Sequence, residues 1–202
     1  MPEAPVYRTI REQIADRIRA DVLSGRLAAG ASLREQSLAQ QYGVSRGPIR
    51  DALLQLTQEG LLVAKPNCGV TVGTSSIEDI QPLVVDLRRR IEVHALRNAF
   101  ARLTEADVDR LDQTVERLRA ACEKMDLAEI VRNDMALHRC ILEATGNPDL
   151  LAIWLPIVSR MMLHCSRHRN MMESHREHAA IVDAIRRRDR KAAVKALEAN
   201  IQ

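Results

Sequence analysis

Isoleucine and valine recur every fourth residue near the start of the chain, at Ile10, Ile14, Ile18 and Val22. That spacing lines one face of an amphipathic helix over about residues 7–24. Gly25 and Gly30 frame the loop that follows. The next apolar stripe is interrupted. Leu38 and Ala39 belong to one short helix, Gly43 marks a sharp turn, and Ile49, Leu53 and Leu56 continue on a second helix. Gly60 ends that helix. Two apolar runs, LLVAK and VTV, then flank the turn residues Pro66, Asn67, Cys68 and Gly69, which predicts a β-hairpin.

No strand pattern follows Val72. The remaining residues predict six helices, over about 77–101, 104–123, 126–145, 148–169, 173–188 and 190–201. Helix starts are marked by Ser76 with Asp79, Thr104 with Asp107, Asp126 with Glu129, and Asn147 before Pro148. Short connections between them predict an antiparallel bundle. The expected fold is mainly α. A helix-turn-helix with a small β-hairpin occupies residues 1–75, and an all-α bundle of about six helices occupies 76–202. The polar stretch Gly73–Ser76 joins them.

Composition narrows this picture only a little. At 202 residues the chain can bury a sizeable core. One Trp, one Phe and two Tyr suit an aliphatic helical core better than a β-sandwich. No run of about 18 apolar residues suggests a membrane span, and the N-terminus lacks a signal-peptide core. Cysteines at 68, 122, 140 and 165 are scattered, as expected of reduced thiols in a cytoplasmic protein. The net charge is +3, and residues 1–75 carry nine Lys/Arg against seven Asp/Glu. Bulk charge therefore does not announce a nucleic-acid binder, so any such case rests on local arrangement.

That arrangement lies between Glu35 and Arg50. Ala39 is small enough for a close helix crossing, and Gly43 tolerates the positive φ of a tight turn. Ser45 is a natural N-cap, and Pro48 falls in the first turn, where its missing N–H costs little. The start of the second helix then faces outward, presenting Ser45, Arg46, Gly47 and Arg50. Arginine can take guanine O6 and N7 together or hold phosphates. The hairpin becomes a wing, whose tip from Asn67 to Gly69 lies along the minor groove or backbone. The alternatives are a surface helix with two solvated arginines, and a hairpin that merely closes the core.

The run LREQSLAQQYGVSRGPIRDALLQLTQEGLLVAKPNCGVTV resembles the winged-helix domain of GntR-family bacterial transcription regulators. The match is strongest over GVSRGPIRDAL, the following EGL and the wing glycine. The resemblance implies double-stranded operator DNA as partner. It implies a contact set of Glu35, Gln36, Ser45, Arg46, Gly47, Arg50, Asn67 and Gly69. Two positions depart from the family pattern. Gly47 stands where threonine or another polar residue is frequent, and Gln36 where some members have a phosphate-contacting arginine.

The helical region carries its own polar constellation. Asp134 and His138 are four apart and share a helix face. His178 and Asn200 lie eleven residues either side of Asp189, where the last two helices turn, so an antiparallel hairpin sets them side by side. An Asp, two histidines and an amide oxygen suit a borderline divalent ion such as Zn²⁺, Ni²⁺ or Mn²⁺. Ordinary core or surface histidines are the alternative. The segments DLRRRIE, DMALHRCILEATGN and EHAAIVDAIRRRDRKAAVKALEANI resemble the ligand-sensing C-terminal domain of the FadR subgroup of the same family. Many members with this D-x-x-x-H pattern hold a metal on one Asp and three histidines. Asp134, His138 and His178 match three of these positions. Asn200 stands at the third histidine, which leaves weaker binding, a harder metal or no metal open. Arg88 matches an arginine that often faces this pocket and would clamp the carboxylate of a small organic acid. A solvated arginine within the run 88–90 is the alternative. His164 and His168 also share a face, but flanking Arg167, Arg169 and Arg176 favour a solvated surface. Met161, Met162, Met171 and Met172 suit a core or an interface.

These features point to a ligand-responsive repressor that binds a palindromic operator as a homodimer, its DNA affinity set by a small carboxylate effector and a divalent metal. Two other readings stand beside it. One is a metalloenzyme with an appended DNA-binding domain, against which HExxH and GxSxG motifs are both absent. The other is an architectural DNA binder with an inert bundle.

Overall fold

The computed structural model describes residues 9–65, 69–74, 78–164 and 170–201. The expectations placed on Asn67, Cys68, Cys165 and His168 fall outside those residues, as does the side chain of His164. The chain divides into two compact units, Met1–Ser75 and Ser76–Gln202.

In the first unit, α1 (Ile10–Leu23) starts at Thr9. The Thr9 hydroxyl accepts from the Glu12 amide while the Glu12 carboxylate accepts from Thr9, a reciprocal capping box. Ile14, Ile18 and Val22 are buried, whereas Ile10, in the first turn, is exposed. Helices α2 (Glu35–Tyr42) and α3 (Arg46–Gln58) are joined through Gly43, whose φ of 67° lies in the left-handed region. Leu38 and Ala39 of α2 and Ile49, Ala52, Leu53 and Leu56 of α3 enter the core, as their spacing predicts.

A buried ion pair fixes α1 against the far end of α3. Arg19, 1% exposed, donates to both carboxylate oxygens of Glu59 at 2.7 and 2.9 Å. Gln55 donates to the same carboxylate at 2.9 Å, and Asp16 contacts the Arg19 guanidinium. Losing one partner of such a pair typically costs roughly 3–5 kcal/mol, because the other charge stays buried. The pair anchors the C-terminal end of α3 and leaves its N-terminal end at the surface.

The hairpin consists of β2 (Leu62–Lys65) and β3 (Gly69–Val72), paired antiparallel from Leu62↔Val72 to Lys65↔Gly69. A third strand, β1 (Ser32–Leu33), pairs with β3, so the sheet order is β1-β3-β2. The sequence pattern misses β1, since two residues cannot show an alternation. Gly73 closes the sheet against the end of α3. A Cβ there would meet the Leu61 carbonyl oxygen at 2.9 Å.

The second unit contains, among the described residues, α4 (Gln81–Ala99), α5 (Glu105–Glu123), α6 (Leu127–Glu143), α7 (Pro148–His164), α8 (Met171–Arg186) and α9 (Arg190–Asn200). Single 3-10 turns precede and follow α4, at Glu78–Ile80 and Phe100–Arg102. Helix α4 therefore starts about four residues later than the Ser76 signal predicts. Thr104 with Asp107 forms the anticipated capping box, and Asp126 caps α6. Helix α4 packs on α6, α7 and α9, while α5 packs on α6 and α8. Leu96, Leu118, Leu137, Trp154, Ile185 and Leu197 are fully buried. So are the polar residues Glu92, His138, Ser159 and His178. No helix among the described residues is long and apolar enough to cross a membrane.

Candidate functional site

The first unit presents the start of α3 to solvent. Ser45 occupies the N-cap with extended backbone, but its hydroxyl makes no cap bond. It is exposed and uncommitted to the helix, so its place at the N-cap comes from backbone geometry alone. Arg46 and Arg50 are exposed on the same face. Arg46 donates through Nε and Nη2 to Glu35 Oε2, at 3.3 and 2.9 Å, bridging α3 to the first turn of α2. Gln36, also exposed, lies beside Glu35. A Cβ on Gly47 would meet nothing within 4 Å, so sterics do not impose glycine there. Gly69 opens β3 at φ 78°. The tip residue Asn67 is outside the described residues.

Inside the bundle, three side chains converge. Asp134 and His138 project from α6 and His178 from α8, with one ligand atom of each within 4.8 Å of the others. His178 Nε2 lies 3.1 Å from Asp134 Oδ2 and 3.2 Å from His138 Nε2. Each imidazole has a polar contact on its far side. His178 Nδ1 lies 2.7 Å from the Ser174 carbonyl, which can only accept, so Nδ1 carries a proton. His138 Nδ1 lies 2.6 Å from Glu92 Oε2, a short ion-pair contact off the line of a good hydrogen bond, and neither atom has a hydrogen-bond partner among the described residues. Asp134 Oδ1 is buried with no hydrogen-bond partner among the described residues.

Glu92 and Trp154 were not singled out by the sequence. Glu92, on α4, is fully buried and accepts from Arg88 Nε at 2.7 Å and from Trp154 Nε1 at 2.6 Å. The i,i+4 spacing of Arg88 and Glu92 was the one available signal. Arg88 is 5% exposed, which removes the solvated alternative. Its Nε is committed to Glu92, however, and is not an open clamp. Asn200 donates through Nδ2 to Glu177, the neighbour of His178, at 3.1 Å. His175 is half-buried rather than solvated, with its Nδ1 buried.

Electrostatics hold this cluster charged. Burial alone would raise the Glu92 carboxyl, but the Arg88 guanidinium and then His138 overcome it and hold it at about 2. Burial also pushes Asp134 up, yet His178 holds it well below the usual carboxylate range. Burial pushes the His178 imidazole down, and the Asp134 carboxylate more than reverses that, leaving its pKa raised.

The chemistry of the donor set tests whether a metal fits. His178 Nδ1 holds its proton against the Ser174 carbonyl and His138 Nδ1 faces the Glu92 carboxylate, so the two Nε2 atoms and an Asp134 carboxylate oxygen are the atoms turned toward one point. Three acceptors facing each other at such distances repel unless a cation sits among them. Either a proton on His178 or a divalent metal satisfies them, and the residues present therefore fit a metal.

Fold and sites together define a class: a winged helix carried on a helical bundle with a polar, ligand-competent interior. Residues 10–72 match the bacterial regulatory proteins of the gntR family, and residues 83–202 match the FCD domain. The chain belongs to the GntR family of transcriptional regulators, with a FadR-type sensing domain; the family's members are regulators, not enzymes. It is 25% identical to the HTH-type transcriptional repressor RspR of Escherichia coli K12, over 96% of this chain and 86% of that one. It is 27% identical to the gluconate operon transcriptional repressor of Bacillus licheniformis, covering 93% and 80% respectively. The fold is that of Escherichia coli McbR/YncC, with a TM-score of 0.76 at 23% identity over 97% of this chain and 95% of that one.

Trp154 is the only tryptophan and bonds Glu92 directly, so its fluorescence reports this site. A carboxyl lowered from 4.5 to about 2 contributes stability that is complete above 4.5 and is lost as pH falls through about 2. Acid titration of metal-free protein should leave Trp154 emission native-like just below pH 4.5, with the change concentrated toward pH 2. A transition centred at 4.5 would show that Glu92 is not held by Arg88 and His138.

Proposed function

We propose that this chain is a ligand-responsive repressor that binds a palindromic operator as a homodimer in the cytoplasm. Its DNA affinity is set by a small organic acid acting through a divalent metal in the bundle. The observation that carries the reading is the convergence of Asp134, His138 and His178 in a chain that also presents Arg46 and Arg50 on an exposed recognition helix. The relationship to a gluconate operon repressor supports a carboxylate effector, since gluconate is itself a hydroxy acid.

In this reading Ser45, Arg46, Gly47 and Arg50 enter the major groove, with Glu35 and Gln36 alongside and Asn67 and Gly69 at the wing. Asp134, His138 and His178 hold the metal, Zn²⁺, Ni²⁺ or Mn²⁺, with Asn200 as a neutral fourth neighbour. The metal supplies a Lewis-acid centre for the effector's carboxylate oxygen. Arg88, whose Nε is bound to Glu92, completes the clamp on the effector's carboxylate.

The homodimer has a candidate surface. Ile80, Leu83 and Leu87 form an exposed apolar stripe beside and along α4, and Ile153 is exposed on α7, which packs against α4. Solvated leucines at helical spacing are the mark of a surface that another chain covers.

Three measurements test the parts. Arg46→Ala should abolish sequence-specific operator binding in a gel-shift assay while the thermal midpoint stays at the wild-type value. Unchanged affinity would remove Arg46 from the reading head. Leu83→Glu with Leu87→Glu should convert a dimer to monomers in sedimentation, and a dimer that persists would move the interface elsewhere. In thermal-shift screening, Zn²⁺ or Mn²⁺ with a small hydroxy acid should raise the melting temperature of wild type but not of His178→Ala. Metal uptake should weaken on acidification, because the raised pKa of His178 means that a proton occupies Nε2 more readily. Equal metal content in wild type and His178→Ala would defeat the assignment.

A further inference from the structure

The fully buried carboxylate of Glu92 has a role that neither the metal cluster nor the DNA-reading helix accounts for. Its two oxygens are used differently. Oε1 accepts from Arg88 Nε at 2.7 Å and Trp154 Nε1 at 2.6 Å. Oε2 faces His138 Nδ1 at 2.6 Å. A carboxylate oxygen and an unprotonated ring nitrogen would repel at that separation, so a proton lies between them. In neutral imidazole only one nitrogen carries a proton. A proton on Nδ1 therefore leaves Nε2 with its lone pair, and Nε2 is the atom that faces His178 Nε2 and Asp134.

We propose that Glu92 is a positioning residue that fixes His138 in the Nδ1-protonated tautomer, and so makes Nε2 a metal ligand. The inference rests on the metal reading given above, but its own claim concerns the metal-free protein. Three features favour Glu92 over a merely structural role. It comes from α4, whereas the ligands come from α6 and α8. Its other oxygen is held by two donors, so the side chain cannot rotate away from His138 without stranding Arg88 and Trp154. His138 Nδ1 has no hydrogen-bond partner elsewhere among the described residues, so the short 2.6 Å contact with Glu92 Oε2, although not ideally aligned, is what acts on it.

Glu92→Gln tests this sharply, because glutamine has the same shape but opposite hydrogen-bonding at one end. The amide oxygen stays with the two donors, Arg88 and Trp154. The amide nitrogen then faces His138 and donates to Nδ1. That pushes the ring proton to Nε2 and removes the lone pair from the metal position. Long-range proton–nitrogen spectra of metal-free protein should show His138 protonated on Nδ1 in wild type and on Nε2 in Glu92→Gln. Zn²⁺ affinity, measured by chelator competition, should fall roughly 10- to 100-fold. Wild-type His138 protonated on Nε2 would overturn the proposal, and so would unchanged Zn²⁺ affinity in a variant that shows the tautomer shift. If Glu92→Gln does not fold, the wild-type spectrum decides alone. If wild type takes up no Zn²⁺, the metal reading fails, while the tautomer of His138 still upholds or refutes the role of Glu92.

Discussion

A carboxylate removed from water must be matched by positive donors at close range, or the fold will not tolerate its charge. Glu92 meets that demand from inside the bundle. Arg88 comes from its own helix, Trp154 from α7 and His138 from α6. One buried charge thereby fixes three side chains, on three helices, in position and orientation. The Arg88 stem is drawn out of solvent, Trp154 has its only donor satisfied, and His138 is turned so that Nε2 points at His178. Asp134 and His178 need less help, since α6 and α8 bring them together and the Ser174 carbonyl orients the second ring. The interior site follows from where Glu92 has to be.

Two ion pairs in the winged helix show the same physics at opposite strengths. Arg19 and Glu59 are both buried, and separating them leaves an uncompensated charge in the core. That pair serves as scaffold. Arg46 and Glu35 are 70% and 31% exposed at the side chain, where an ion pair is worth about 0–1 kcal/mol. A guanine edge or a phosphate competes easily with so weak a partner. Under the proposed reading, Glu35 holds the Arg46 fork near the surface without preventing its transfer to DNA. The scaffold pair sits at one end of α3 and the exchangeable pair at the other, as a rigid helix with a reactive tip requires.

The sequence made some of this visible and hid the rest for identifiable reasons. Helix starts at Thr104 and Asp126 were legible because capping is a local reaction between residues three apart. The turn at Gly43 was legible because a left-handed backbone needs glycine. Strand β1 was not, since it exists only through pairing with β3. Asp134 and His138 could be placed on one face by helical period, and counting from the Asp189 turn set His178 beside Asn200, while the family resemblance matched His178 to the other two. The same counting could not foresee that the Asn200 amide donates to Glu177, because symmetrical counting fixes the height along a hairpin and not the rotation of each helix. Glu92 was invisible for a deeper reason. Its three partners lie at sequence distances of 4, 46 and 62 residues, and only the packed bundle brings them to one point. Arg88 was read as a pocket arginine or a solvated one, and its burial against Glu92 removes the second.

The donation from Asn200 to Glu177 also bears on what kind of centre the bundle offers. Structural zinc sites are closed by four protein ligands, while sites that exchange ligands keep a position open. Asp134, His138 and His178 supply three donors. Asn200, the fourth residue of the proposed set, spends its amide nitrogen on Glu177 and can contribute at most a neutral oxygen. Under the proposed reading, a metal held this way keeps room for an exogenous oxygen ligand. The loss of a histidine at position 200 then weakens the grip on the metal without sealing the site. A sensor depends on that distinction. An effector shifts the balance between DNA-binding and free states only by the difference in its affinity for them. A coordination position left to the effector is where such a difference can arise, whereas a position filled by protein contributes equally to both states.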